Sequence, residues 1–334
     1  MTVQSDSAPV LDRLTDQMRA IVDAATAASG PVRALDDYEG QRTDYKQGRA
    51  YWNEGGPVMT DVTDGVVSTD TGPVPIRILR PAPGVLPVIV FIHGGGWYLG
   101  DLETHDRCMR VLAERTGCVV VGVDYTLSPE AKFPVPVQQC VAACAYVVAH
   151  AEEWGVDGSR LSLAGDSAGA HLAMATALSL AGHGSTAPQI PLASLLLFYG
   201  LYGLTDSPAR RTLGGPWDGM SRDDLIYYWD LYLASPEDAR NPLVDQLSAD
   251  LTSLPPTFLA VSTLDPAKDD SMALAALLER QGIPVTLTLF DGVLHGFLHY
   301  TKALDEANAA FDAAAEFYRS AVPDASPPTP PAAE

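Results

Sequence analysis

The segment Gly165-Asp166-Ser167-Ala168-Gly169 sets a serine between two glycines, after the apolar run Leu161-Ser-Leu-Ala164 and before an Ala-rich stretch from Ala170. A serine at a strand-to-helix turn takes a strained backbone conformation that only small neighbours permit. The positive end of the following helix then favours the oxyanion formed when the hydroxyl attacks a carbonyl. A glycine-rich turn of any α/β protein is the plain alternative, and the flanking strand and helix signals weigh against it. A hydroxyl is a weak nucleophile at neutral pH, so it needs a base, and the base needs an orienting acid. His295, in Phe290-Asp-Gly-Val-Leu-His-Gly-Phe297, follows the last strand candidate and is the expected base. His299 is its rival, while His150 and His183 fall at helix ends and read as solvated. Asp265 ends the run Thr257-Phe-Leu-Ala-Val-Ser-Thr-Leu264 and is the expected acid; Asp269 and Asp270 read as helix-start caps. His93-Gly94-Gly95-Gly96-Trp97 offers backbone donors without intervening side chains, so Gly95, Gly96 and Ala168 are the expected oxyanion amides. No phosphate-loop pattern competes, because the glycines lack the following Lys-Ser/Thr.

These groups need a scaffold that brings distant segments to one edge. Pro87–His93, Cys118–Asp124, Arg160–Gly165, Leu195–Tyr199, Thr257–Val261 and Val285–Phe290 are short apolar runs without polar alternation. Such strands are buried on both faces. Helical stretches of crossover length lie between them, at about 104–116, 135–154, 168–180 and 271–281, which predicts a mostly parallel sheet flanked by helices. Val74–Arg80 alternates instead and predicts an antiparallel edge strand. Residues 9–51 are polar with helical spacing, and about 202–240, rich in Gly, Asp and aromatics, interrupts the strand-helix rhythm. Residues 322–334 are Pro-rich and predict a disordered tail.

The chain has 334 residues, with 42 acidic against 21 basic side chains, for a net charge of −21. That charge repels phosphate backbones and anionic membrane surfaces, so neither nucleic acid nor membrane is an expected partner. Cys108, Cys118, Cys140 and Cys144 lack metal-ligand or redox spacing and read as small buried hydrophobes. No metal and no cofactor is expected. The start of the chain lacks a basic-then-apolar leader, and no run approaches a membrane span, which gives a cytoplasmic expectation.

On these motifs the chain resembles the bacterial hormone-sensitive-lipase-like (family IV) esterases of the α/β-hydrolase superfamily over nearly its whole length. HGGGW, GDSAG and His295-Gly-Phe297 match, Tyr125-Thr-Leu-Ser-Pro-Glu130 stands in place of Y-R-L-A-P-E, and Asp265-Pro-Ala-Lys-Asp-Asp270 in place of D-P-L-R-D-E. The resemblance implies Ser167 as nucleophile, His295 as general acid/base, Asp265 as its partner, Gly95, Gly96 and Ala168 as the oxyanion hole, and His93 as a brace of the glycine loop. It also implies that residues 1–50 and 202–240 form a helical cap over a catalytic domain made of 51–201 and 241–321. Among the cap aromatics Trp217, Tyr227, Tyr228, Trp229 and Tyr232, helical spacing favours anchoring over pocket walls. Trp97, Tyr98, Leu204 and Leu213 are the substrate-pocket candidates.

The expected function is a serine carboxylesterase that hydrolyses short to medium acyl esters of small molecules through an acyl-enzyme. An amidase or formamidase would use the same three residues, and a ligand-binding receptor would use the same fold without a catalytic histidine. His295 in its full H-G-F setting weighs against the receptor. A metal hydrolase would rest on the i, i+4 pair His295 and His299. A homodimer through an edge strand or the cap is compatible with the resemblance.

Overall fold

Val88–Ile92 and Val119–Val123 are mostly β-branched and uniformly apolar, and in the computed structural model, which describes residues 9–28, 30, 32–183 and 189–322, they are adjacent central strands. Among the described residues the sheet comprises β1 (Asp61–Thr69), β2 (Gly72–Arg80), β3 (Leu86–Ile92), β4 (Val119–Val123), β5 (Val156–Asp166), β6 (Leu195–Phe198), β7 (Thr257–Ser262) and β8 (Val285–Phe290). Their spatial order is β1-β2-β4-β3-β5-β6-β7-β8. Pairing is parallel from β4 to β8, whereas β1–β2 and β2–β4 are antiparallel.

The side chains of β3 show why the sheet must be covered twice. Val88, Val90 and Ile92 belong to one core and Ile89 and Phe91 to the other. The first core is closed by α4 (Val135–Ala149), α5 (Ala168–Leu180) and α8 (Lys268–Arg280), and the second by α3 (Asp106–Thr116) and α9 (Asp305–Ala321). Every residue of α5 is buried. That agrees with its largely apolar sequence, AGAHLAMATALSL, since a helix without a charged or extended polar face is stable only when surrounded. All four cysteines are free and buried.

One strand differs from the sequence expectation. Val74–Arg80 lies within β2, antiparallel as expected but one position in from the edge, because β1 covers it. The β1 sequence, Asp-Val-Thr-Asp-Gly-Val-Val-Ser-Thr, is polar and mostly exposed, so it carries little apolar signal.

Two separated stretches contact segments that follow β3, β4 and β7. The N-terminal stretch holds α1 (Asp16–Ala28) and α2 (Tyr38–Asn53), and the 202–240 stretch holds α6 (Pro208–Thr212) and α7 (Arg222–Tyr232). Helix α2 buries no residue completely and is held by polar contacts instead. Arg42 donates to the carbonyls of Tyr98 (2.9 Å) and Ser128 (2.8 Å) and to both carboxylate oxygens of Glu130. The two stretches meet where the Tyr227 hydroxyl donates to the Leu35 carbonyl. Of the expected tail, residues 323–334 lie outside the described residues. No helix among the described residues is long and apolar enough to cross a membrane.

Candidate active site

Ser167 sits between the end of β5 and the first residue of α5, with φ 53° and ψ −122°. A non-glycine residue with that backbone is strained, and the turn survives because its surroundings fix it. The Ser167 amide donates to the Phe198 carbonyl at 2.8 Å. A Cβ on Gly165 would stand 2.8 Å from the Ile92 carbonyl oxygen, and one on Gly169 2.6 Å from that of His93. Both glycines are therefore demanded by the close approach of the β3 end to this turn.

The loop after β8 carries His295 to the same place. The Ser167 hydroxyl lies 2.7 Å from His295 Nε2, and His295 Nδ1 lies 2.8 Å from Asp265 Oδ2. Asp265 is fully buried and also accepts the Ala267 amide at 2.7 Å. With Asp265 accepting from Nδ1–H, Nε2 is left to take the serine proton. Burial pushes the His295 imidazole down, but the charge and hydrogen bond of Asp265 override it and hold its pKa above 6.5. The arrangement can deprotonate a hydroxyl at neutral pH.

The glycine loop runs beside Ser167. Gly95 and Gly96 have φ 119° and 59°, and a Cβ on Gly95 would stand 2.6 Å from the Leu99 carbonyl carbon. Among the described residues, the amides of Gly95, Gly96 and Ala168 have no hydrogen-bond acceptor, which leaves three donors available beside the serine. The Gly94 amide donates to Asp166 Oδ1 at 2.9 Å. His93 Nδ1 lies 2.8 Å from the Gly94 carbonyl, and its ring stacks on Tyr125 with centroids 4.4 Å apart.

The pocket candidates separate. Trp97 is 0% exposed, stacked on Tyr232 and packed against His171 and Trp229. That enclosure contradicts the expectation of a substrate contact and makes its ring an anchor between the glycine loop and α7. Leu213 is likewise closed in the core, so it too differs from the expectation. Tyr98 packs against Tyr227 and Tyr228, and the Tyr228 ring lies 3.2 Å from where a Gly96 Cβ would be. Leu204 lines a cavity of about 340 Å³ beneath α7, together with Leu225 and Trp229.

His299 is turned away from Ser167. Its Nε2 is 3.9 Å from Asp166 Oδ2, and His105 Nε2 is 3.4 Å from Oδ1. The pair His295 and His299 thus serves two different carboxylates. His105, Asp166 and His299 place ligand-type atoms within 4.8 Å of one another, the one such grouping among the described residues. Burial keeps both imidazoles below the ordinary histidine value. It also opposes ionisation of Asp166, but the neighbouring imidazoles and the Gly94 amide hold its carboxyl below the usual range. His150 bonds back to the Tyr146 carbonyl and His183 to Ser253, both far from Ser167 in role.

Three acidic residues carry more than the sequence disclosed. Asp270 does not cap its own helix: it accepts the amides of Tyr202 (2.8 Å) and Leu204 (3.1 Å) and pairs with Arg210 at 2.8 Å, tying α8 to the 202–240 stretch. Asp269 accepts the Ala209 amide at 2.9 Å, a second tie to that stretch rather than a cap. Asp218 was no candidate. Its Oδ1 accepts the amides of Gly215 and Met220, its Oδ2 is buried without a partner, and burial raises its pKa to about 6. The Asp218 carboxylate also acts by charge on His295 and Asp265. Its sequence signal is an acidic residue in the glycine- and tryptophan-rich run Gly214-Gly-Pro-Trp-Asp-Gly219.

Comparison with known proteins agrees with this architecture. Residues 89–299 match the model of a family with an alpha/beta hydrolase fold. The acetyl esterase of Salmonella choleraesuis (strain SC-B67) is 42% identical over 311 residues, 93% of this chain and 95% of that protein. Among solved structures, a hyperthermophilic esterase from the archaeon Pyrobaculum calidifontis aligns with a TM-score of 0.84 and 32% identity, covering 92% of this chain and 98% of the other. A thermostable carboxylesterase cloned from a metagenomic library aligns with a TM-score of 0.82 and 28% identity, over 87% and 99%. The chain belongs to the hormone-sensitive-lipase-like (family IV) carboxylesterases of the α/β-hydrolase superfamily.

Proposed function

We propose that this carboxylic-ester hydrolase works through an acyl-enzyme on Ser167, with His295 as general acid/base and Asp265 as its orienting partner. The observation that carries the reading is the hydrogen-bonded chain from Ser167 Oγ through His295 to Asp265, at 2.7 and 2.8 Å. Ser167 Oγ attacks the ester carbonyl while its proton passes to His295 Nε2. The tetrahedral oxyanion is received by the amides of Gly95, Gly96 and Ala168, and the α5 N-terminus adds its dipole. Collapse expels the alcohol with the proton from His295. Water, deprotonated by the same nitrogen, then attacks the acyl carbon, and the acid leaves as the proton returns to Ser167.

We read α1 and α2, together with the 202–240 stretch, as a cap that shapes the substrate space. Short acyl chains, acetyl foremost, are the proposed substrates. Two observations support this: the relatives are named acetyl esterases, and the Tyr228 ring crowds the glycine loop at Gly96. The experiment is hydrolysis of p-nitrophenyl acetate, butyrate and octanoate by the wild type and Ser167→Ala. Ser167→Ala should be inactive with an unchanged circular dichroism spectrum, and the wild type should favour acetate. Wild-type turnover in Ser167→Ala would overturn the reading.

A further inference from the structure

Helix α2 carries three cations toward the catalytic domain, and two of them hold carboxylates. Arg42 grips Glu130, and Lys46 Nζ lies 2.9 Å from Asp101 Oδ2. Arg49 has no carboxylate within ion-pair distance among the described residues, in a chain with twice as many acidic as basic side chains. Acidic groups border the adjacent cavity of about 290 Å³, but they are engaged elsewhere: Glu103 and Asp106 hold Arg77, and Glu54 faces Lys302. The guanidinium is held in place all the same. Its central carbon lies 5.0 Å from the Tyr45 ring centre and 5.6 Å from that of Tyr300. Two rings thus fix a planar fork of donors whose charge is unmatched.

The position of this fork is chemically informative. Arg49 Nη2 lies 3.8 Å from where a Gly296 Cβ would be, against the residue that directly follows His295. His295 delivers the proton to the departing alcohol in the proposed mechanism, so the alcohol half of an ester lies on the His295 side of the carbonyl. A guanidinium that stands there without a carboxylate partner among the described residues is suited to an anion on that half. A single planar fork binds a carboxylate bidentately, and its one positive charge balances the one negative charge of a carboxylate.

We propose that Arg49 is the anion-recognising residue of the site and selects esters whose alcohol half carries a carboxylate. The proposal rests on the reading of Ser167 and His295 as the reacting pair. The test compares kcat/KM for 3-acetoxypropanoate with that for 3-methylbutyl acetate, a neutral substrate of the same shape, in the wild type, Arg49→Gln and Arg49→Lys, with acid release followed in a pH-stat. The anionic-to-neutral ratio should fall about tenfold or more in Arg49→Gln, the loss expected for one charge-assisted contact, and recover in part in Arg49→Lys. In the wild type, 3-hydroxypropanoate should inhibit competitively, and this inhibition should weaken in Arg49→Gln. An unchanged ratio, or an equal fall for both substrates, would overturn the proposal and leave Arg49 a cap anchor. Failure of the underlying mechanism is distinguishable, because it would appear as turnover of the neutral ester by Ser167→Ala.

Discussion

Asp166 accepts the Gly94 amide hydrogen at 2.9 Å, so the residue just before Ser167 holds the start of the glycine loop. The strand end that presents the hydroxyl and the loop proposed to present the oxyanion donors are thereby fixed to one another. Preorganised donors stabilise a transition state only when they are already in place, and a shift of about 1 Å costs on the order of a hundredfold in rate. Asp166→Ala should therefore lower kcat for p-nitrophenyl acetate by about a hundredfold with little change in KM. Asp166→Asn, which retains an acceptor oxygen for Gly94, should lose much less. Equal losses in the two variants would show that the charge of Asp166, rather than its hold on the loop, is what matters.

The pH dependence should report His295. Its pKa is held above 6.5, and only the unprotonated imidazole can take the serine proton. The kcat/KM for a neutral ester should therefore rise with pH through an inflection above 6.5. Asp218, with a pKa raised to about 6, is mainly ionised in that range and favours the imidazolium. Asp218→Asn keeps an acceptor for Gly215 and Met220 but removes the charge, so the inflection should move down. A profile that stays in place would mean that Asp218 acts on the loop alone.

Much of this architecture was legible because parallel strands converge at their carboxyl ends. Ser167, Asp265 and His295 are separated by up to 128 residues, yet each lies on the segment that follows a strand whose apolar run is readable in the sequence. Strand β1 was not legible, because an exposed edge strand needs no apolar face and its residues are polar. Trp97 was misplaced for another reason. Adjacency to the glycine loop suggested a pocket wall, but direction depends on its positive φ of 63° and on partners such as Tyr232, more than a hundred residues away. Asp270 occupies a cap position by sequence, and only the return of the 202–240 stretch gives its carboxylate three other partners.

That Asp270 contact leads to a stability prediction. Arg210 and Asp270 are both buried, and removal of one partner leaves the other charge uncompensated. Asp270→Ala also strips the amides of Tyr202 and Leu204 of their acceptor. The loss should be about 3–5 kcal/mol in urea unfolding followed by circular dichroism. Asp270→Asn, which retains one acceptor oxygen, should lose less. The double replacement Arg210→Met with Asp270→Leu should recover part of the loss, because an apolar pair leaves no unpaired charge. A double variant as unstable as Asp270→Ala would assign the effect to the two amides instead.

Tyr228 provides the test of acyl-chain length. Its ring lies 3.2 Å from the position of a Gly96 Cβ, and its hydroxyl donates to the Gly219 carbonyl at 2.7 Å, which holds the ring over the glycine loop. Tyr228→Ala removes the ring and should raise the octanoate-to-acetate ratio of kcat/KM by about tenfold, the worth of a few methylenes admitted to apolar surface. Tyr228→Phe keeps the ring and loses only the hydrogen bond. It should retain the preference for acetate and give up about 0.5–1.5 kcal/mol of stability. If Tyr228→Ala still favours acetate as the wild type does, the limit on acyl length lies deeper, beyond the ring, and the crowding at Gly96 is a packing contact of the cap.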